Sequence, residues 1–414
     1  MIRDAGAVLQ ACDALAALSA RPDGIERVYL SPQHADAHRL VTPWFEKAGL
    51  RTWQDPAGNL CGRMEGCRPA LPALMLGSHL DTVPLAGRYD GILGVMIALA
   101  VVSRFADRRH QLPFALEVVG FGDEEGTRFG STLLGSQAVA GGWQDAWWGL
   151  KDADGATLRE AFTAFGLSPE HVGGAARTAS QLVGYLEAHI EQGPFLEAHN
   201  EPLGVVTGIA GARRFTLTCT GQAGHAGTTP MGMRQDALCA ASEAVLAIER
   251  IAARYHCVAT VGTLETLAGA VNVIPGRVRF SIDLRAQVDE QRDRAWNAIE
   301  QALSSITAQR DVRFECRETH CAAAVGCALR LQDALADGIA SVTECPTPPR
   351  LMSGAGHDAM AMASITDVGM LFLRCRGGVS HHPDESVLEA DVALAIEAMV
   401  AAISALADAE MAPV

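Results

Sequence analysis

The chain has 414 residues, enough for two or three domains with a sizeable core. Its 33 lysine and arginine residues stand against 48 aspartate and glutamate residues, a formal net charge of −15 that argues against a nucleic-acid or anionic-membrane partner. Hydrophobic residues make up 49% and charged residues 20%, the composition of a globular protein and not of a disordered one.

Two further features bear on location. The longest apolar run, Val95–Val102, is too short to span a bilayer, and Met1–Asp4 leads into a helical pattern without the apolar core of a secretion signal. The 11 cysteines are odd in number, scattered and free of any Cys-x-x-Cys pair. We therefore expect a cytoplasmic protein with isolated thiols and no membrane partner.

Helix and strand patterns alternate in the first third of the chain and return after Ala322, which predicts an α/β fold with a sheet covered by helices. The predicted elements are a helix from Ser31 to Gly49, a strand at Leu74–Leu76, a helix at Gly91–Asp107, a strand at Phe114–Phe121, a strand at Gly369–Leu373 and a closing helix from Glu385 to about Ala409. Ligands in such sheets gather in the loops after the carboxyl ends of the strands.

The middle of the chain has a β-α-β-β-α-β order, which is the ferredoxin-like arrangement. Its predicted elements are a strand at Arg214–Thr220, a helix at Met233–Tyr255, strands at Val258–Leu264 and Arg277–Arg285, a helix at Glu290–Gln309 and a strand at Val312–Cys316. We interpret residues 209–322 as a domain inserted into a discontinuous domain formed by 1–208 and 323–414.

Acids and imidazoles cluster after the predicted strands. His79 precedes Asp81 by two residues, and a metal-bound imidazole usually donates its other N–H to a carboxylate. Glu124 and Glu125 follow the next strand, where one carboxylate can bind a metal and the other can act as a base. Each cluster alone would also suit a solvated turn. Histidine and carboxylate without thiolate form the ligand set for zinc, manganese, cobalt or nickel.

Other polar residues are candidates for substrate binding. His225 lies in a glycine-flanked loop of the inserted domain, and Asn272 precedes a Pro-Gly turn. Arg285 lies on the polar face of a strand, and arginine suits bidentate carboxylate recognition. Gly356 and His357 offer a backbone N–H and an imidazole at a predicted helix start.

Together these clusters resemble the hydantoinase/carbamoylase branch of the two-metal aminoacylase/carboxypeptidase clan. That branch holds N-carbamoyl-L-amino acid hydrolases, β-ureidopropionases and allantoate amidohydrolases. The motifs that carry the resemblance occur in order as SHLDTV, GRYDGILGV, GDEEGTRF, EAHIEQGP, GHAGTTPM, NVIPG, DLR, SGAGHDA and SHHPDE. The resemblance implies a mixed-sheet metallohydrolase domain with an inserted lid and dimerisation domain.

The resemblance also implies roles for individual residues. His79 and His189 would bind one divalent ion, Glu125 and His381 a second, and Asp90 would bridge the two. Glu124 would be the general base that activates the attacking water, with Asp81 as the partner of His79. The implied substrate contacts are Gln192, Arg214, His225, Asn272, Arg285, Gly356 and His357, with His225 also stabilising the developing oxyanion.

Several alternatives stay open at this stage. His382 competes with His381, and Arg213 competes with Arg214. The expected reaction is hydrolysis of the ureido carbon–nitrogen bond of an N-carbamoyl amino acid, N-carbamoyl-β-alanine or allantoate, with release of ammonia. A metallopeptidase or N-acyl amino acid hydrolase on the same scaffold is the nearest alternative, and a non-catalytic small-acid binding protein is a distant one. The resemblance implies a homodimer through the inserted domain, with lid residues serving either their own or the partner's site.

Overall fold

The computed structural model describes residues 2–411, so the extreme ends of the predicted first domain, residues 1 and 412–414, lie outside the described residues. Its contacts divide the chain into two compact units. The first, which we call the catalytic unit, contains the residues up to Thr207 and from Gly326 onward; the second, the inserted unit, is Gly208–Val325.

The elements up to the inserted unit are α1 (Ala5–Ala16), α2 (Pro32–Lys47), β1 (Arg51–Gln54), β2 (Leu60–Met64), β3 (Ala73–His79), α3 (Ile92–Phe105), β4 (Ala115–Phe121), α4 (Leu134–Val139), α5 (Leu158–Ala164), β5 (Leu182–Ile190), α6 (Phe195–Ala198) and β6 (Leu203–Ile209). The inserted unit contains β7 (Gly211–Thr220), β8 (Gly224–His225), α7 (Ala237–Arg254), β9 (Val258–Thr260), β10 (Leu264–Thr266), β11 (Val273–Ile274), β12 (Arg277–Ala286), α8 (Asp289–Arg310) and β13 (Arg313–Ala322). The chain closes with β14 (Val325–Gly326), α9 (Leu329–Val342), β15 (Arg350–Ser353), α10 (Ala359–Met362), β16 (Val368–Leu373) and α11 (Glu389–Met411). Short 3-10 helices lie at Ala106–Gln111, Asp145–Gly149, Pro169–Ala175, Ala179–Gln181, Met231–Met233 and Arg376–Gly378.

The catalytic unit is built on a mixed sheet with the order β1-β2-β4-β3-β5-β16-β6-β14, with β15 paired to β6. Its four central strands, β4, β3, β5 and β16, are parallel, whereas β2 and β6 pair with them antiparallel. The predicted α/β fold with a mixed sheet is therefore confirmed. In the parallel ladders His79 lies opposite Phe121, and Phe372 lies opposite His189, so the carboxyl ends of the four strands meet at one edge.

Helix α3 forms the centre of the core. It is apolar on all sides, as a helix surrounded by protein must be, and it packs against β3, β4 and β5. Gly94 allows this approach, because a Cβ there would lie 2.2 Å from the Ala188 carbonyl oxygen. Helices α1 and α11 pack on α3, and α9 packs on α11 and β16. By length and composition α11 could cross a membrane, and 56% of its most apolar window is buried.

The inserted unit has an antiparallel sheet with the order β10-β12-β7-β13, and β9 also pairs with β12. When these four strands are numbered by their order in the chain, their spatial order in the sheet is 2-3-1-4. This is the arrangement of the ferredoxin-like fold. Helices α7 and α8 pack on it, and the apolar residues of β12 that face them are fully buried, including Val278 and Phe280.

Several predicted elements differ from the structure. The strand predicted at Val258–Leu264 is two short strands, β9 and β10, both largely exposed. Strand β13 extends to Ala322, well beyond the predicted end at Cys316, because its pairing with β7 sets its length where its mostly polar sequence does not. Helix α11 begins at Glu389, so Glu385 lies in a loop. Strand β5 has no predicted counterpart, since its apolar run is interrupted by Glu187 and His189.

The folded state should lose stability in mild acid through His38. This imidazole is buried in α2, with Nδ1 3.0 Å from Gln54 Oε1, and burial lowers its pKa from the usual 6.5 to about 4. Because the folded pKa lies below the unfolded value, the unfolded state takes up the proton first as pH falls. Stability is therefore lost between about pH 6.5 and 4.

We expect His38→Gln to remove up to about 1.4 kcal/mol per pH unit from the pH dependence of the unfolding free energy. Urea unfolding at several pH values between neutral and mildly acidic measures the slope. His110→Gln, at an exposed histidine, is the control. Identical slopes for the wild type and His38→Gln would contradict this assignment.

Candidate active site

The site residues of the catalytic unit come from the loops and ends of the four parallel strands. His79 is the last residue of β3, and His189 is the penultimate residue of β5. Glu124 and Glu125 follow β4, and His381 follows β16. Asp90 lies in the loop between β3 and α3. Residues more than 300 positions apart in the sequence are therefore brought to one edge of the sheet.

One oxygen of Asp90 faces two imidazoles. Asp90 Oδ1 lies 3.9 Å from His79 Nε2 and 3.2 Å from His189 Nε2. The opposite nitrogens, Nδ1, each donate to a backbone carbonyl at 2.9 Å, that of Asp81 for His79 and that of Ile190 for His189. Because a carbonyl can only accept, both rings carry hydrogen on Nδ1 and direct Nε2 toward Asp90.

Asp81 supports this arrangement differently from the prediction. The sequence suggested its carboxylate as the acceptor for His79, but the backbone carbonyl accepts that N–H, and the carboxylate Oδ1 lies 3.7 Å from His79 Nδ1. The carboxylate instead accepts the backbone N–H groups of Glu124 and Glu125, at 3.2 and 3.3 Å. The carboxylate of Asp81 therefore links the loop after β4 to the end of β3.

The other oxygen of Asp90 faces a second group. Asp90 Oδ2 lies 3.0 Å from His381 Nε2, and that nitrogen lies 3.5 Å from Glu125 Oε1. His382 points elsewhere, with Nδ1 3.6 Å from Asp384 Oδ2 and its side chain 58% exposed. The geometry therefore selects His381 over His382 as a candidate ligand.

Burial and neighbouring charges perturb the titration of these groups. The hydrogen bond that His381 donates to Asp90 raises the pKa of His381 to about 9. Burial lowers the pKa of His189, but the hydrogen bond and charge of Asp90 outweigh it and raise that pKa to about 9. Burial and then the charge of Asp90 raise the pKa of Glu125 to about 7. Burial and the charge of Glu125 raise the pKa of Glu124 well above its usual value.

The donor atoms fit metal ions. His79, Asp90 and His189 form one group, and Asp90, Glu125 and His381 form another; within each group, one ligand atom per residue lies within 4.8 Å of the others. Imidazole nitrogens and carboxylate oxygens are the donors that zinc, manganese, cobalt and nickel accept. Asp90 belongs to both groups, as a carboxylate that bridges two ions must.

Glu124 and two predicted substrate contacts lie beside these groups. Glu124 is 9% exposed, and a Cβ at Gly356 would lie 3.5 Å from its Oε1. The His357 ring stacks edge-on against His189, with centroids 4.5 Å apart. His357 Nε2 bonds to Ser353 Oγ at 2.7 Å, while Nδ1 is buried and has no hydrogen-bond partner among the described residues.

Gln192 is placed differently from the other predicted substrate contacts. Its Nε2 donates to Asp90 Oδ2 at 3.0 Å and to Ser380 Oγ at 3.1 Å, so the amide is bonded to the candidate ligand shell. Its φ of +56° is left-handed, as are those of Asp123 at +62° and His381 at +55°. A left-handed backbone costs roughly 1–2 kcal/mol at a residue other than glycine. Each of these three residues lies in a loop that follows a parallel strand.

Sequence reasoning missed three supporting residues. Glu187 Oε1 accepts from Ser78 Oγ at 2.8 Å, and Glu187 Oε2 accepts the Ala359 N–H at 3.2 Å, which links β3, β5 and the loop of His357. The two-residue spacing from Glu187 to His189 on one strand face was the signal that could have revealed it. The other two, Ser380 and Glu385, lie within the SHHPDE motif but are recognisable only from their contacts.

The predicted substrate contacts of the inserted unit form two pairs. Strand β8 pairs with β11, and the Ala226 N–H bonds to the Asn272 carbonyl at 3.0 Å, so His225 and Asn272 are neighbours. Arg214 and Arg285 flank Asp283, with Nε–carboxylate distances of 2.9 and 2.7 Å.

Arg213 has a different environment from Arg214. Its Nε lies 2.7 Å from Glu318 Oε1, and its guanidinium lies over the rings of Phe215 and Trp296. Arg213 is therefore a structural residue, which leaves Arg214 as the arginine that shares a strand face with Arg285.

A mixed sheet with two groups of candidate metal ligands at the carboxyl ends of its parallel strands is typical of an α/β metallohydrolase. The family model for peptidase family M20/M25/M40 matches residues 75–405, and the chain belongs to that family. It is 41% identical over 400 residues to a probable allantoate deiminase of Oryza sativa, covering 89% of this chain and 82% of the relative. It is 39% identical over 388 residues to an N-carbamoyl-L-amino acid amidohydrolase of Geobacillus stearothermophilus, covering 94% of each.

Among solved structures, a hydantoinase/carbamoylase family amidase from Burkholderia multivorans superimposes with a TM-score of 0.91 at 30% identity, covering 100% of both chains. The predicted resemblance to the hydantoinase/carbamoylase branch is therefore confirmed. So is the predicted class of enzyme, a hydrolase of carbon–nitrogen bonds other than peptide bonds.

The metal content of two histidine variants tests the candidate ligand. We expect His381→Ala to lose one ion per chain, because His381 faces both Asp90 and Glu125, whereas His382→Ala should keep the full complement. Elemental analysis after dialysis against a weak chelator measures both variants beside the wild type. Equal metal content in the two variants would contradict the choice of His381.

Proposed function

We propose that this chain is a binuclear metal-dependent amidohydrolase that cleaves the ureido carbon–nitrogen bond of an N-carbamoyl amino acid or of allantoate and releases ammonia. The observation that carries the proposal is the position of Asp90. Its two oxygens face separate ligand groups, while the buried Glu124 stands beside them. A bridging carboxylate with an adjacent second carboxylate suits a two-ion hydrolytic centre.

The proposed ligands are His79 and His189 for one ion and Glu125 and His381 for the other. When bound, two divalent ions would supply the positive charge that lowers the pKa of a water and polarises the ureido carbonyl group. The native metal is one of zinc, manganese, cobalt and nickel.

Glu124 is the proposed general base. Its carboxylate takes the proton of the attacking water and later returns it to the departing nitrogen. Burial and neighbouring acids disfavour the charged form and raise its pKa, which favours a group that holds the proton it has taken until the leaving nitrogen needs it. Gly356, beside Glu124, leaves room for the substrate at this point.

His225 is the proposed oxyanion donor. Its Nδ1 accepts the Gly227 N–H at 3.0 Å, which leaves Nε2 as the protonated nitrogen. A neutral imidazole with Nε2–H can donate to the oxygen that becomes negative during attack. The lid residue serves either the site of its own chain or that of a partner.

The substrate class follows from the remaining polar groups. Allantoate and N-carbamoyl amino acids both combine a ureido group with a carboxylate, and the named relatives are an allantoate deiminase and an N-carbamoyl-L-amino acid amidohydrolase. We propose that Arg285, with Arg214 and Asn272, binds the substrate carboxylate through charge-assisted hydrogen bonds. Gln192 and His357 complete the polar lining around the ureido group.

Assembly and location belong to the same proposal. We propose a homodimer formed through residues 209–322, the predicted lid domain, and a cytoplasmic location. The latter is supported by the cysteines, which the described chain holds as free thiols. The expected partners are small ureido acids.

A substrate screen tests the proposed activity. The purified enzyme, reloaded with each of the four candidate ions, is offered allantoate, N-carbamoyl-L-amino acids, N-carbamoyl-β-alanine and dipeptides. We expect ammonia release from at least one ureido acid and no cleavage of dipeptides. The reason is that the proposed site binds a ureido group as well as a carboxylate, and a dipeptide has no ureido group. Dipeptide cleavage without ammonia release would favour the metallopeptidase alternative, and tight binding without turnover would favour a binding protein.

Replacement of Glu124 by glutamine tests the base. The amide keeps the shape of the side chain but cannot take a proton, so we expect kcat to fall by about 100-fold or more while the metal content stays at the wild-type level. Glu160→Gln, at an exposed glutamate of α5, is the control. Substantial activity in Glu124→Gln would remove this residue from the mechanism.

A further inference from the structure

Glu385 is a buried carboxylate that the mechanism above does not use. It lies in the loop between β16 and α11 and is 3% exposed. Because a buried carboxylate is costly unless its oxygens are hydrogen-bonded, its contacts indicate what it stabilises.

One oxygen of Glu385 holds the loop that carries Asp90. Oε1 accepts the backbone N–H of Tyr89 at 2.7 Å and that of Asp90 at 3.1 Å. The loop lies directly against the carboxylate, since a Cβ at Gly87 would be 2.2 Å from Glu385 Cδ. The backbone of Asp90 is therefore fixed by a side chain almost 300 residues away.

The other oxygen connects to the loop that carries His381. Ser380 Oγ lies 3.0 Å from Glu385 Oε2 and 3.0 Å from Asp90 Oδ2, the oxygen that faces His381. Ser380 is also the residue before His381, whose left-handed backbone depends on how this turn is held. Glu385 thus contacts the backbone of Asp90 directly. The Ser380 hydroxyl lies between the two carboxylates and can donate its single hydrogen to either of them.

These contacts bridge strands that do not pair. Asp90 follows β3 and His381 follows β16, and β5 lies between them in the sheet. The ladder hydrogen bonds set the spacing of the strands but do not reach the two loops beyond the strand ends. Glu385 is hydrogen-bonded to both loops.

We propose that Glu385 is a positioning residue that holds the bridging carboxylate of Asp90 against His381 and so sets the affinity of the metal centre. This inference rests on the two-ion centre of the proposed function. Residues behind metal ligands typically change metal affinity by about 10- to 100-fold when they are removed. Glu385 acts on the position of Asp90 and makes no contact with the substrate.

The test is Co²⁺ binding by the full-length apoprotein, followed by competition with a chromophoric chelator and by the absorption spectrum of the bound ion. We expect Glu385→Ala to raise the Kd for Co²⁺ by about 10-fold or more and to alter the spectrum. At saturating Co²⁺, KM for the substrate should stay at the wild-type value. Asp236→Ala is the matched control, because Asp236 Oδ1 also accepts two backbone N–H groups, at 2.9 and 3.0 Å, in the inserted unit.

Two further variants separate positioning from a general loss of stability. Glu385→Gln keeps an oxygen that can accept both N–H groups, so we expect its Kd to stay within about threefold of the wild type. Ser380→Ala keeps the backbone bonds of Glu385 but cuts the link to Asp90, and should raise the Kd by about threefold to 10-fold. It also serves as the test if Glu385→Ala does not fold.

The outcomes distinguish this inference from the proposed function. A wild-type chain that never binds two Co²⁺ ions overturns the two-ion centre itself. The positioning role is overturned if the wild type binds two Co²⁺ ions and Glu385→Ala or Ser380→Ala also binds two ions with unchanged Kd and spectrum. Equal loss of affinity in Asp236→Ala, or no rescue by Glu385→Gln, overturns it as well.

Discussion

The site depends on the parallel pairing of β4, β3, β5 and β16. Adjacent parallel strands run about 4.8 Å apart, so side chains at their carboxyl ends fall within reach of one small cluster. In this chain the last residues of each strand, or the loop that follows it, supply an acid or an imidazole: Glu125 after β4, His79 on β3, His189 on β5 and His381 after β16. Loss of the parallel register of β5 would move His189 away from Asp90, because a shift of one residue turns a side chain to the opposite face.

The concentration of buried acids at this edge has its own energetic logic. Asp81, Asp90, Glu124, Glu187 and Glu385 are all buried, and burial of carboxylates is unfavourable unless each oxygen is bonded or balanced by positive charge. Asp81, Glu187 and Glu385 are committed to backbone N–H and hydroxyl groups. Asp90, Glu124 and Glu125 are the acids near the imidazoles to which the proposed function assigns chemistry.

The sequence predicted local features well and long-range relations poorly. The run Leu74–Leu76, helix α3 and the run Phe114–Phe121 were recognisable because their apolar residues are continuous along the chain. The acids and imidazoles near them were recognisable because they follow these runs in recurrent motifs. Glu385 was predicted as the start of a helix, and its role as an acceptor for Tyr89 and Asp90 depends on a contact across the fold. The same limit applies to β13, whose length is set by its pairing with β7. It also applies to Asp81, because the sequence does not show whether its carbonyl or its carboxylate accepts the His79 N–H.

The left-handed turns at Asp123, Gln192 and His381 have a consequence for protein engineering. A side chain at such a position is confined by its backbone as well as by its neighbours, so few residue types are tolerated there and random libraries at these turns will consist mostly of inactive members. The strands and helices of the inserted unit, by contrast, present Arg214 and Arg285 on regular backbone. We therefore expect the fold to tolerate substitutions at Arg214 and Arg285 better than substitutions at these three turns.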